Sequence, residues 1–330
     1  MHNFRLIAIL GATGSGKSAF GLELAQQLNC DIFSLDSLAI YQEFDIVSAK
    51  PSKEELAQIP HHGINILKPN QANNAPLFKT LLLQAIQQSQ KKQHKALLII
   101  GGSSFYLKSI IEGLSPHPPL STQQSQAIHK QIQSLPDPYT FLHAIDPNYP
   151  IHPNDTYRLY RALEIYFATH TPPSLFFANH PREPFPHPIE KYALSIDRDL
   201  LRKRILKRTQ SMLQKGLLEE IESIFKHYDY LIQPAGAIGV KECIQYLTQT
   251  PLEVLQGKTP PQNPKIASNI QELCTLISTH TAQLAKRQST FNRTQFGSIL
   301  STSQSIKNLP KTGIICGNQE ELKAFILQTF

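Results

Sequence analysis

The stretch GATGSGKS, residues 11–18, is built to hold an anion. It fits the spacing GxxxxGK[ST], with the apolar run FRLIAIL before it and the helical pattern SAFGLELAQQL after it. That strand–loop–helix setting is what a phosphate-gripping loop (P-loop) requires. Gly11, Gly14 and Gly16 let backbone N–H groups converge on anionic oxygens, and the helix N-terminus adds its dipole. Ala12, Thr13 and Ser15 complete the loop, Lys17 neutralises charge, and Ser18 offers a hydroxyl to Mg²⁺. The loop alone does not say whose phosphates are held, nor whether a phosphoryl group is what moves.

Two strand ends could work with such a loop. DIFSLDS (31–37) reads as a second strand closing near Asp36. Ligands of open α/β sheets sit beyond the carboxyl ends of the strands, so this carboxylate faces the phosphate site. It is read as a base for an attacking nucleophile, as a magnesium partner, or as a cap for the following segment. KALLIIGG (95–102) is a third strand, apolar on both faces as a central parallel strand is. P-loop ATPases commonly place a magnesium-holding acid there. Here the strand runs into Gly101-Gly102-Ser103-Ser104, with no carboxylate. The missing acid counts against hydrolysis. Ser103 is placed to donate to a diphosphate oxygen, unless this is a plain strand-to-helix turn.

The strand KYALSID (191–197) leads into a strongly basic helix containing Arg204, Lys207 and Arg208. At about 100° per residue, Leu201, Ile205 and Met212 fall within about 40° of one another and define the buried stripe. Arg208 lies on its edge, about 20° from Leu201, and Arg204 lies farther out on its flank. An inward guanidinium is costly unless an anion meets it. Arg208 is therefore the candidate diphosphate clamp; the alternative is an internal ion pair. HTAQLAKRQSTFNR (280–293) sets Lys286, Arg287 and Arg293 near Phe291, a mixture that suits a nucleic-acid backbone. Arg158 and Arg161 recur at helical spacing in YRLYRALE. His61-His62 would point to opposite sides of an extended segment, so a structural or substrate-contact role is favoured over metal binding.

These residues need a frame. Strand, helix (77–92), strand and helix alternate through the first hundred residues, which gives an α/β fold: a P-loop NTPase-like parallel sheet core flanked by helices. Fourteen of the 24 prolines lie in 116–188, where strand-like alternation fades and the helix 154–170 is the clearest element. The expected division is a catalytic core of 1–120 and 188–293, an inserted helical module at 121–187, and a polar C-terminal tail, 294–330, with a short final helix and no chemistry.

The ordered series GATGSGKS, SLDSLAIYQEFDIVSAKP (34–51), PHHGIN (60–65), GGSSFYLKSIIEGL (101–114), HPNDTYRLYRALE (152–164), DRDLLRKRILKR (197–208), AIGVKE (237–242) and LAKRQSTF (284–291) resembles the tRNA dimethylallyltransferase, or isopentenyl-tRNA transferase, family. The resemblance implies transfer of a dimethylallyl group from dimethylallyl diphosphate to N6 of adenosine 37, in tRNAs reading codons that begin with U. It implies that the P-loop, Arg208 and Mg²⁺ hold the diphosphate, that Asp36 is the base near N6, and that Ser103 stands for a family threonine. It makes the inserted module a tRNA-binding one that grips the anticodon arm. Asp36, Ser37, Leu38, Ala39, Ser103, Arg158, Arg161 and Gly239 would line the RNA path, with Lys286 and Arg287 contributing charge. The chain departs from the family pattern at Ala39, Val47, Val240 and Phe291, none of them a proposed catalytic group.

Composition bounds the alternatives. At 330 residues, with 41% hydrophobic and 17% charged residues, the chain is an ordinary globular protein large enough for two modules. A net charge of +7 permits a polyanionic partner without requiring one. Cys30, Cys243, Cys274 and Cys316 are scattered and read as apolar fillers of a reducing compartment. No run reaches the roughly 18 apolar residues of a membrane helix. The first strand begins at Phe4, which leaves no room for a leader, so a cytoplasmic monomer with no obligatory protein partner is expected. A P-loop kinase and an RNA-binding nucleotide switch are the competing classes.

Overall fold

β1 (Arg5–Leu10) is buried from its second residue onward, and every one of its neighbours in the sheet runs parallel to it. The computed structural model describes residues 4–296, 299–301 and 313–330. In that structure β2 (Asp31–Ser34), β3 (His61–His62), β4 (Ala96–Ile100), β5 (Ile189–Leu194), β6 (Ile299–Ser301) and β7 (Ile314–Gly317) complete a sheet of order β3-β2-β4-β1-β5-β7-β6. All pairings are parallel. β1 lies between β4 and β5, so connections leave in opposite directions on its two sides and open a crevice at the strands' carboxyl ends.

Parallel strands are buried on both faces, and the packing reflects it. On one face, Ile7 and Ile9 of β1 pack with Phe20 and Leu24 of the helix Lys17–Leu28 and with Leu322, Phe325 and Ile326 of the helix Gln319–Thr329. On the other, Phe33 meets Phe78 of the helix Ala75–Lys91 edge-on, with ring centroids 6.5 Å apart. The helix begins two residues before the expected 77, because Asn74 accepts the Leu77 N–H and Pro76 occupies the first turn. The four cysteines are free thiols, three of them buried.

His62 has a structural partner. Its Nε2 lies 2.9 Å from Oδ2 of Asp31, a carboxylate that also receives the Lys92 ammonium at 2.8 Å. Asp31 is fully buried on β2. The Lys92 and His62 hydrogen bonds oppose its desolvation and hold its carboxyl below the usual range.

The stretch 294–330 corrects the sequence reading. Its described part is no separate tail: β7 pairs with β5 from Tyr192↔Ile315 to Leu194↔Gly317, and the short final helix, expected there, is Gln319–Thr329, packed on one face of the sheet. Residues 297–298 and 302–312 lie outside the described residues. IICG is too short for its alternation to be read, and it becomes a strand through its pairing with β5 and β6.

A second compact unit spans Glu112–Phe185. Its core is Ile128, Ile132, Leu142, Leu159, Ala162 and Leu163. The helix Thr156–Thr169 starts at Asp155, whose side chain accepts the Arg158 N–H at 3.1 Å. Within it, Glu164 is buried and meets His117, His129 and Arg161 at 3.2, 2.5 and 2.7 Å. Desolvation is outweighed by these partners, and its carboxyl is held below the ordinary value.

Candidate active site

A cleft of about 1020 Å³ opens at the carboxyl edge of the sheet. Its floor is the P-loop. Gly14 and Gly16 take φ of 82° and 95°, the left-handed region that glycine enters without strain, and Gly16 is the residue before the helix Lys17–Leu28. Of the expected loop residues, Thr13, Gly14, Gly16, Lys17 and Ser18 line the cleft. Gly11, Ala12 and Ser15 are buried and do not line it. Ala12 packs against Ile205 and Ala285, which fixes the loop on the basic helix Arg198–Gln214 and the long helix Ile270–Gln295.

Two cations converge there. Lys17 is only 8% exposed, and its Nζ donates to the Ala12 carbonyl at 2.8 Å. Burial pulls its ammonium down to about 8, with Arg208 acting in the same direction and Asp36 against them. Arg208 lines the cleft, and burial lowers its guanidinium, opposed by the charge of Asp36. Among the described residues it makes no ion pair, so the internal-pair alternative finds no partner here. Arg204 also lines the cleft and donates to the Ser15 carbonyl at 3.3 Å. Such a site is short of negative charge, and an anion of two or more charges relieves both desolvated groups at once.

Asp36 sits just past β2. Its Oδ1 accepts the N–H groups of Leu38 and Ala39 at 2.9 and 3.1 Å. The cap reading is thus realised by one oxygen, while Oδ2 makes no hydrogen bond among the described residues. Ser37, Leu38 and Ala39 share the cleft lining with it. Past β4, a Cβ on Gly101 would lie 2.0 Å from the Leu35 carbonyl oxygen, so only glycine allows the two strand ends to approach this closely. Ser103 follows in the lining, and its carbonyl accepts the N–H groups of Tyr106 and Leu107 in the helix Ser104–Glu112.

One residue escaped the sequence reading. Gln288 accepts the Thr13 N–H on its Oε1 at 2.8 Å and donates through Nε2 to the Gly102 carbonyl at 3.0 Å. It ties the P-loop to the glycine turn after β4. Its neighbours Lys286 and Arg287 drew attention as charges, whereas Gln288 is set by the tertiary register of its helix. Arg287 lines the cleft, and Lys286 lines a shallower groove beside it. Gly239 also lines the cleft, where its N–H donates to Glu242 at 2.6 Å. Arg158 and Arg161 belong to the Glu112–Phe185 unit, where Arg158 pairs with Asp155 at 3.4 Å and Arg161 with Glu164.

The cleft wall at 45–50 is pinned from two sides. Glu220 accepts the N–H groups of Asp45, Ile46 and Val47 at 2.9, 2.7 and 3.0 Å. Lys50 Nζ reaches the Tyr41 carbonyl, Asp45 and Asn65, each at 2.6 Å. Replacing Glu220 with Ala strands three amide donors, and a loss of about 2–3 kcal/mol in urea unfolding is expected. Glu220→Gln should recover part of it, because the amide oxygen still accepts.

Oxygen donors suited to a magnesium ion are present: the exposed Ser18 hydroxyl and the Asp36 carboxylate both line the cleft. Among the described residues no cluster of three or more His, Cys, Asp or Glu side chains could hold a metal by itself. That donor set fits an ion carried largely by phosphate oxygens and water.

The IPP transferase family model matches residues 39–295. A tRNA dimethylallyltransferase of Helicobacter pylori strain J99 is 48% identical over 297 residues, covering 89% of both chains. Among solved structures, a full-length tRNA isopentenylpyrophosphate transferase from Bacillus halodurans superposes with a TM-score of 0.64 at 23% identity, covering 98% of this chain and 95% of that one. A eukaryotic dimethylallyltransferase, solved acting on tRNA, gives 0.69 at 26% identity over 87% of this chain and 69% of its own. No described helix is long and apolar enough to cross a membrane.

Proposed function

The chain belongs to the IPP transferase family, and from that premise we propose that it transfers a dimethylallyl group from dimethylallyl diphosphate to N6 of adenosine 37 in tRNAs reading codons that begin with U. Diphosphate is released. The observation that carries this reading is Arg208: a desolvated guanidinium that makes no ion pair among the described residues, in one cleft with Lys17 and Asp36.

An exocyclic adenine amine is a weak nucleophile because its lone pair is delocalised into the ring. It needs a strong electrophile and an acceptor for its proton. In an allylic diphosphate, the carbon that loses oxygen shares its positive charge along the allyl system. As that C–O bond breaks, its electron pair goes to the diphosphate, whose growing charge Lys17, Arg208 and free P-loop N–H groups would meet. The N6–C bond forms, and the N6 proton passes to Asp36. Ser103 contributes a hydroxyl between diphosphate and nucleotide. Gln288 holds the two phosphate-facing loops at fixed spacing. The Ser18 hydroxyl would hold a Mg²⁺ ion together with the diphosphate, and such an ion would neutralise charge on the leaving group.

No step needs an acid to orient hydrolytic water, which agrees with β4 being followed by two glycines and no carboxylate. The family relationship speaks for attack at carbon, against the kinase reading. The direct test is mass analysis of nucleosides from tRNA incubated with the protein, dimethylallyl diphosphate and magnesium. The expected product is an adenosine heavier by one isoprene unit. Unaltered tRNA, together with transfer of the γ-phosphate of ATP to an acceptor, would establish a kinase instead.

A further inference from the structure

The cleft's mouth carries an aromatic feature that diphosphate chemistry does not use. Phe105, in the first turn of the helix Ser104–Glu112, is 60% exposed although it lines the cleft. Its ring meets that of Phe291 edge-on, with centroids 6.4 Å apart. Phe291 is braced in turn by the buried Phe296, edge-on at 6.2 Å. Phe291 and Arg287 line both the cleft and the adjoining groove, which Lys286, Thr290 and Thr294 extend along the long helix.

We propose that Phe105 and Phe291 form a stacking rim for an unpaired RNA base beside the target adenosine, with the adjoining phosphate lying in the groove against Lys286 and Arg287. This rests on the tRNA prenylation proposed above and deepens it by assigning a subsite for a neighbouring nucleotide. A dimethylallyl tail would need a wall removed from water, and a ring this exposed does not provide one. A base differs: it presents an apolar π-face to the ring while its polar edges remain hydrated, and base–aromatic stacking tolerates any sequence. The groove fits the nucleotide's other half, since its lining joins two cations to hydroxyls with no carboxylate. There is also an energetic reason for such a rim. Extracting a nucleotide from its stack costs a few kcal/mol and leaves the adjacent base without a neighbour. A phenylalanine face beside the cleft replaces that lost contact.

The experiment is a cycle between protein and RNA. Phe105→Ala and Phe105→Trp are assayed with an anticodon stem–loop and with two forms of it, abasic on the 5′ or the 3′ side of the target. Phe105→Ala is expected to weaken binding of the intact RNA at least about fivefold, the lower end of a stacking contribution. Phe105→Trp should keep the parent affinity. On one of the two abasic RNAs the alanine penalty should vanish, and KM for dimethylallyl diphosphate should not move. An equal penalty on all three RNAs, or a raised KM for the allyl donor in its place, overturns the proposal while leaving prenylation standing. If the parent protein neither bound nor modified the intact stem–loop, prenylation itself would fall, and this subsite with it.

Discussion

Asp36→Asn is expected to slow transfer to tRNA by about two to four powers of ten, the usual worth of a positioned general base. Affinities for tRNA and for dimethylallyl diphosphate should stay close to those of the parent. Asparagine is the informative replacement because Asp36 performs two tasks with separate oxygens. Oδ1 caps the turn at Leu38 and Ala39, and an asparagine side chain retains that acceptor. What is lost is a group able to take the N6 proton at Oδ2. Asp36→Ala would remove both, and its turnover would mix chemistry with a loosened cleft lining. Single-turnover measurements isolate the bond-forming step from product release. Parent-like single-turnover rates for Asp36→Asn would remove Asp36 as the base and leave it a turn cap.

That double use illustrates how far the site was legible in the sequence. Local signals carried well. The P-loop is written in consecutive residues, and the inward position of Arg208 follows from helical period alone. The neighbours of Ile205 in the structure, Ala12 and Ala285, explain what that face is turned toward. Contacts that span the chain left no comparable trace. Gln288 bridges Thr13 and Gly102 from 275 and 186 residues away, and nothing in LAKRQSTF distinguishes it from a solvated glutamine. Glu220 is one of two adjacent glutamates, and only the fold brings it to three amides of the 45–47 wall.

In the C-terminal segment the final helix was legible, but its place on the sheet was not, for the same reason. IICG gains its role by pairing with β5, and Gln319 then comes to lie with its Nε2 3.4 Å from the Gly16 carbonyl. A polar composition concealed a segment that buttresses the phosphate loop. The glycine turn after β4 stands between these cases. Its lack of an acid was visible, but the need for glycine at 101 is set by the Leu35 backbone of another strand end.

Arg208→Met should separate function from stability in opposite directions. With the clamp removed, kcat/KM for dimethylallyl diphosphate is expected to fall by about two to three powers of ten, as when one donor to a developing anion is deleted. The ligand-free protein should nevertheless become more stable, by about 1 kcal/mol. A desolvated guanidinium with no ion pair among the described residues disfavours the folded state until an anion arrives, and an apolar side chain of similar length does not. Adding pyrophosphate with magnesium should raise the melting temperature of the parent protein through preferential binding to the folded form. Most of that rise should be missing in Arg208→Met. Lys17 sharpens the contrast, because burial already depresses its ammonium and the two cations disfavour each other in the empty cleft. If the ligand-free variant melted below the parent, Arg208 would be contributing to the fold, and the strain that marks it as a diphosphate clamp would not exist.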